Sequence, residues 1–382
     1  GPASPAPPPP LASQRDRIED WVSGREIETA AGPCFVSECR YPLEHRHGAL
    51  PLGALLEHKP DALRVLTGDV GAGGLGFEQL AFLDTETTGL AGGTGTYAFL
   101  VGLGLFEGDS FVVRQVFMRD IPEEPALLHR VCEDLAPRRG LVTFNGRAFD
   151  WPLLETRLAM NRRAALAQGQ IHLDLLLPAR RLWRKRLASC ALSSLEALVL
   201  GVRRAIDDVP GWAIPGLYRD WLLWGRAEPM RRVFYHNAHD ILSLATLAAT
   251  FCRLLAEPLR MLQHGEDLYC LGQRLESLGD GEADGGVGGA VVHPDLVALR
   301  QRAAGVDDIG GDAVALEVGF RGEDPGGGAA EELARVVARE QGEAEAVDEV
   351  SRDFFGAVVD EQPAFVGEER GRAHAHLQTI PP

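Results

Sequence analysis

Ala81-Phe82-Leu83-Asp84-Thr85-Glu86-Thr87-Thr88-Gly89-Leu90 is the stretch whose reading decides the fold. An apolar run of β-type residues ends in two acids and then breaks at Gly89. Strand side chains alternate faces, so Asp84 and Glu86 leave one face together. Like charges this close raise each other's pKa unless a cation lies between them. A solvated strand end with an acidic turn is the plainer alternative. The sequence downstream decides between the two.

From Ala81 onward the pattern is regular. Strand 81–86 precedes two further strands, Tyr97–Phe106 and Ser110–Met118, joined by the hairpin signal Glu107-Gly108-Asp109. Pro122 with Glu123 and Glu124 opens a helix running to about Leu135. Leu141–Asn145 reads as a short buried strand, Phe149–Met160 as a helix and His172–Leu176 as a last strand. Helices follow near 192–200 and from Met230 to about Leu255. Antiparallel strands followed by alternating helices and strands predict an α/β fold with a mixed sheet flanked by helices.

Composition narrows the class. At 382 residues, 45% hydrophobic and 24% charged, the chain can bury a proper core. The formal net charge of −17 is uneven: residues 261–382 hold 25 acids and 9 bases, leaving residues 1–260 nearly neutral. Overall charge is therefore no argument against a nucleic-acid partner. The six cysteines form no Cys-x-x-Cys pair, which suits reduced thiols in a cytoplasmic protein rather than a zinc site. The Pro/Ala-rich start lacks the basic and apolar regions of a secretory signal. The run Ile241–Ala256 is interrupted by Ser243, Thr246, Thr250 and Arg253, so no membrane span is expected. Gly71-Ala72-Gly73-Gly74-Leu75-Gly76 has dinucleotide-fingerprint spacing but leads into a strand instead of a helix, so it reads as a loop.

The expected organisation is a disordered segment 1–14, an extension 15–80 packing on the domain, the domain 81–258 and an acidic, Gly-rich, poorly ordered tail 259–382 in which Met261–Leu278 could form one more helix.

Two more acids and a histidine join the first pair. In Phe144-Asn145-Gly146-Arg147-Ala148-Phe149-Asp150, a strand ends at Asn145 and Asp150 opens a helix. In His236-Asn237-Ala238-His239-Asp240, His236 and Asp240 stand four apart and share a helix face. A charge beside the apolar stripe of that helix is costly unless paired or metal-bound.

Together these segments resemble the DEDD exonucleases of the RNase H-like superfamily. The first motif falls on Asp84-Thr85-Glu86, the second on Asn145 through Asp150, and the third on His236 through Asp240. His172-Leu173-Asp174-Leu175-Leu176, Asp207-Asp208-Val209-Pro210-Gly211, Ile214-Pro215 and the His236–Leu244 segment narrow the likeness to the bacterial YprB-like group. That group carries a predicted exonuclease domain similar to family B polymerase proofreading domains. One departure stands out. Family members place a Tyr four before the last Asp or a His five before it, whereas here His236 is four before and Tyr235 five before. His236 shares the face of Asp240, so it is the expected catalytic residue, with Tyr235 as the other candidate.

The resemblance implies a 3′→5′ exonuclease acting on single-stranded DNA or RNA. Asp84, Glu86, Asp150 and Asp240 would hold two divalent ions, and His236 would orient or deprotonate the attacking water. Oxygen ligands favour Mg²⁺ or Mn²⁺ over zinc. Asn145 would position substrate or Asp150. Thr87 and Thr94, in or beside the Gly/Thr-rich loop after Glu86, would approach the phosphates. Ten basic residues lie between 151 and 204, densest at Arg180, Arg181 and Arg184 around Trp183, as a single-stranded backbone and its bases would use. Asp174 is expected to be structural. The rival expectations are a nucleic-acid-binding module that does not cut and a structure-selective endonuclease on the same fold.

Overall fold

The computed structural model describes residues 15–68, 74–89, 95–163, 171–205 and 208–279. The acidic tail after 279, the N-terminal segment, Thr94 and the first three residues of the 71–76 glycine run lie outside them.

Seven strands form one mixed sheet in the order β1-β2-β7-β6-β5-β8-β9. They are β1 (Arg25–Thr29), β2 (Gly32–Pro42), β5 (Leu80–Thr87), β6 (Ala98–Glu107), β7 (Ser110–Phe117), β8 (Gly140–Thr143) and β9 (Ile171–Asp174). A two-stranded pair, β3 (Arg46–His47) with β4 (Leu50–Pro51), lies apart. β5, β6 and β7 pair antiparallel, while β8 and β9 join β5 in parallel. β5 is central and fully sandwiched, which explains its near-continuous apolar start at Leu80–Leu83. The hairpin turns at Gly108, whose φ of 62° favours glycine. β1 and β2, from the stretch before residue 81, extend the sheet beyond β7.

The helices among the described residues are α1 (Arg64–Thr67), α2 (Glu124–Leu135), α3 (Asp150–Met160), α4 (Leu176–Trp183), α5 (Leu192–Leu195), α6 (Ile214–Trp224), α7 (Glu228–Ala256), α8 (Pro258–Met261) and α9 (Gly265–Gly279). Two buried clusters lie on the two faces of the sheet: Phe82 and Val113 belong to one, Leu83 and Val116 to the other, as strand alternation requires. α7 serves both, with Val233 and Phe234 in one cluster and Ile241 to Leu255 in the other.

α7 is the longest of the described helices. By length and composition it could cross a membrane, its most apolar 18-residue window averaging a mean hydropathy of 1.3. Of that window, 78% is buried inside the fold, the position of a core helix. α4 and α6 are not evident in the pattern of the sequence.

Candidate active site

β5 runs antiparallel to β6 and parallel to β8, and α7 packs against the sheet. This brings residues more than 150 positions apart to one strand end. The register of β5 against β6 shifts between Glu86 and Thr87, a bulge that ends the regular ladder just past the acids.

Glu86, His236 and Asp240 each present one ligand atom, and these atoms lie within 4.8 Å of one another. Glu86 is buried, and its Oε1 has no hydrogen-bond partner among the described residues. Asp84 accepts a hydrogen bond from Asn237 Nδ2 at 2.8 Å. Asn237 is fully buried and is itself fixed by Gln115 Nε2, which donates to its Oδ1 at 2.9 Å. Gly102, across the ladder from Asp84, makes room for it, because a Cβ there would stand 2.2 Å from Asn237 Oδ1. Asp150, in the first turn of α3, accepts from Thr85 Oγ1 at 2.5 Å.

The acids are held against their charge. Burial, then Asp240, Glu86 and Asp150, push the Asp84 carboxyl well above the usual range. Burial, then Asp240 and Asp150, do the same to Glu86. Burial pushes Asp150 up to about 6 against the pull of its hydrogen bonds. Burial raises Asp240 as well, opposed by Arg204 and His236. Four carboxyls disfavoured as anions, one with an orphaned buried oxygen, fit a divalent cation of the hard, oxygen-seeking kind.

A guanidinium that sequence reading left among the surface basics sits at this site. Arg204 donates to Asp240 Oδ1, to Glu196 (Nε to Oε2 2.6 Å, Nη2 to Oε1 2.7 Å) and, through Nη1, to Asp208 Oδ2 at 3.1 Å. Its Nη1 is also 3.0 Å from His236 Nδ1. Glu196 opens a π-helical turn that continues α5, and it also accepts from Ser243 Oγ at 2.5 Å. Asp208 Oδ1 lies 3.2 Å from His236 Nδ1, and His236 Nε2 lies 3.5 Å from Asp240 Oδ2. Tyr235 faces elsewhere: its hydroxyl accepts from Ala205 N–H and its ring rests 3.9 Å from that of His239.

The remaining candidates are spread more widely. Asn145 takes a left-handed φ of 65°, and its N–H donates to Asp174 Oδ1 at 2.8 Å. Asp174 also accepts from the N–H groups of Arg147 and Leu176, so it fastens the turn that leads to Asp150. Asn145, Arg147 and Arg180 line a cleft of about 220 Å³ beyond the ends of β8 and β9. Thr87 is buried and donates to the Gly89 carbonyl, shaping the exit from the strand. Arg180 and Arg184 are exposed. Arg181 turns inward to the Leu66 carbonyl, and Trp183 is buried, stacked 5.0 Å from Phe251. Trp183 thus offers no face to a base, contrary to the sequence expectation, because α4 buries that side.

Residues 81–252 match a family model described as RNase_H superfamily. They form an RNase H-like domain. The chain is also 34% identical over 241 residues to the uncharacterized protein YprB of Bacillus subtilis (strain 168), an overlap of 61% of this chain and 57% of that one. The chain thus spans just over half the length of this curated relative. In the RNase H-like domain, the acids stand at the end of the central strand and at the start or on the face of helices packed against it.

Proposed function

We propose that the chain is a metal-dependent nuclease that hydrolyses phosphodiester bonds of single-stranded nucleic acid from the 3′ end. The observation that carries this reading is the meeting of Glu86, His236 and Asp240 within 4.8 Å, with Asp150 close enough to raise both Asp84 and Glu86, and Asp84 itself raised by Asp240 and Glu86. A protein that merely bound nucleic acid would gain nothing by burying carboxyls where phosphate must approach.

Asp84, Glu86, Asp150 and Asp240 would hold Mg²⁺ or Mn²⁺, which when bound supplies Lewis-acid activation and neutralises charge at the reacting phosphate. The protein's own groups account for the rest. In the tautomer whose Nδ1 donates to Asp208, the His236 Nε2 lone pair faces the Asp240 side and would take a proton from water, whereas Arg204 Nη1, 3.0 Å from the same Nδ1, favours the other tautomer. Asp208 is then a positioning residue for that base. Asn237 orients Asp84, and Thr85 orients Asp150. Asn145 and Arg180, which line the neighbouring cleft, would receive the strand's phosphates.

One observation favours the rival reading of a module that binds without cutting: Arg204 already neutralises Asp240 from within the chain. End-labelled and circular single-stranded DNA and RNA, each with Mg²⁺, Mn²⁺ or EDTA, separate the possibilities. Metal-dependent loss of mononucleotides from the 3′ end supports the proposal. Cleavage of circles points to an endonuclease, and binding without any cleavage supports the rival.

A further inference from the structure

The segment Asp208-Val209-Pro210-Gly211-Trp212 has a definite place beside the site that the chemistry above uses only through Asp208. Asp208 is tied to His236 and Arg204, and Val209 is buried in the core. The chain then surfaces. Pro210 and Gly211 are exposed, and a Cβ at Gly211 would stand 3.9 Å from His236 Nε2. Trp212 follows with 74% of its surface exposed, the highest exposure among the large hydrophobic residues described. Ile214, fully buried, and Pro215 in the first turn of α6 fasten the far end.

An indole so exposed is an uncommon use of a large apolar side chain, and the turn around it is held rather than loose. Its flanks are anchored by Val209 and Ile214, and the ordering cost is met before any ligand arrives. With one Cα step of about 3.8 Å between Gly211 and Trp212, the Trp212 backbone lies within roughly 9 Å of His236 Nε2. That is on the order of one to two nucleotides along a strand. The bare Gly211 backbone leaves the space between them open.

We infer that Trp212 is a stacking platform for a nucleobase of the single strand whose phosphodiester lies at His236. This rests on the nuclease reading and adds to it how the strand end is held. Stacking on an aromatic face tolerates any base and adds about 1–3 kcal/mol per base, so the platform grips without reading sequence. Trp is suited to this, since its large face is presented at a low entropic cost.

The test uses the full chain in EDTA, where no cleavage confuses binding. Oligothymidylate and oligouridylate are titrated while tryptophan fluorescence and anisotropy of a labelled strand are followed. The proposal expects quenching on binding, a loss of affinity of about 5- to 150-fold in Trp212→Ala, and near-wild-type affinity in Trp212→Phe. A strand with abasic 3′-terminal nucleotides should bind the wild-type chain about 5- to 150-fold more weakly than the intact strand does, a comparison that holds even if a variant folds poorly. Equal binding of intact and abasic strands by the wild-type chain would overturn the platform. A parallel cleavage assay with Mn²⁺ separates the two claims: cleavage with no abasic effect sinks the platform alone, while an abasic effect without cleavage sinks the nuclease reading alone.

Discussion

Asp240 accepts a hydrogen bond from Arg204, and the same guanidinium binds Glu196, whose side chain is only 2% exposed. The chain has therefore set an internal cation against one of its four candidate metal ligands. Glu196 and Asp208 hold that cation, Ser243 donates to Glu196, and His47 in turn meets Ser243. Asp240 is in this way poised between a fixed positive charge and the pocket.

Arg204→Gln leaves Glu196 buried without its partner. Breaking one side of a buried ion pair costs about 3–5 kcal/mol, so urea denaturation should show a loss of that order. Glu196→Gln combined with Arg204→Gln should cost clearly less than the sum of the single changes. Strict additivity would show that the two side chains do not act as a pair.

The acid cluster makes pH a second probe. Asp150 is raised to about 6, and Asp84 and Glu86 also lie well above ordinary carboxyls. A raised acid binds its proton more tightly folded than unfolded. Its contribution to stability is therefore full below the unfolded pKa and lost as pH rises through the folded one. A divalent cation binds the ionised set and displaces those protons. Thermal melts should show a larger gain from Mn²⁺ at about pH 7.5 than at about pH 5. A gain that does not change with pH would speak against binding at these carboxyls.

Gly102→Ala probes the support under Asp84. The new methyl meets Asn237 Oδ1 at 2.2 Å, and overpacking of this kind costs about 1–3 kcal/mol. Displacing Asn237 should also weaken Mn²⁺ binding, measured by calorimetry. A stable variant with unchanged metal affinity would show that Asn237 does not orient Asp84.

Much of this fold could be read from the sequence. The alternation and run lengths of β5 to β7, the Gly108 hairpin and α7 all have strong local causes. α4 was hidden because Arg180, Arg181, Arg184 and Lys185 make its residues look like a charged surface run, although Leu182 and Trp183 face the core. α6 was hidden by Pro215 and Gly216 in its first turn. Asp84, Glu86, Asp150, His236 and Asp240 were marked by local motifs. Arg204 was not, since its partners lie at 196, 208 and 240 and no short pattern joins them. Asn237 stood inside a quoted motif, but only its burial against Asp84 gives it a role.

The same contrast separates the basic residues. Arg180→Gln with Arg184→Gln should weaken single-strand binding and flatten its salt dependence by about 0.7 for each phosphate no longer neutralised. Trp183→Ala should instead cost about 3–5 kcal/mol of stability and leave the salt slope unchanged. A shallower slope in Trp183→Ala would place that residue on the nucleic-acid path after all.

The central claim is that these acids form one cation-binding centre that drives phosphodiester cleavage. Its most direct measurement is a Mn²⁺ titration followed by electron paramagnetic resonance, on the parent chain and on Asp84→Asn and Glu86→Gln, with circular dichroism to confirm folding. Saturable binding by the parent that disappears in folded variants, together with loss of single-strand cleavage, is the expected result. Folded variants that bind Mn²⁺ and cleave as the parent does would contradict it.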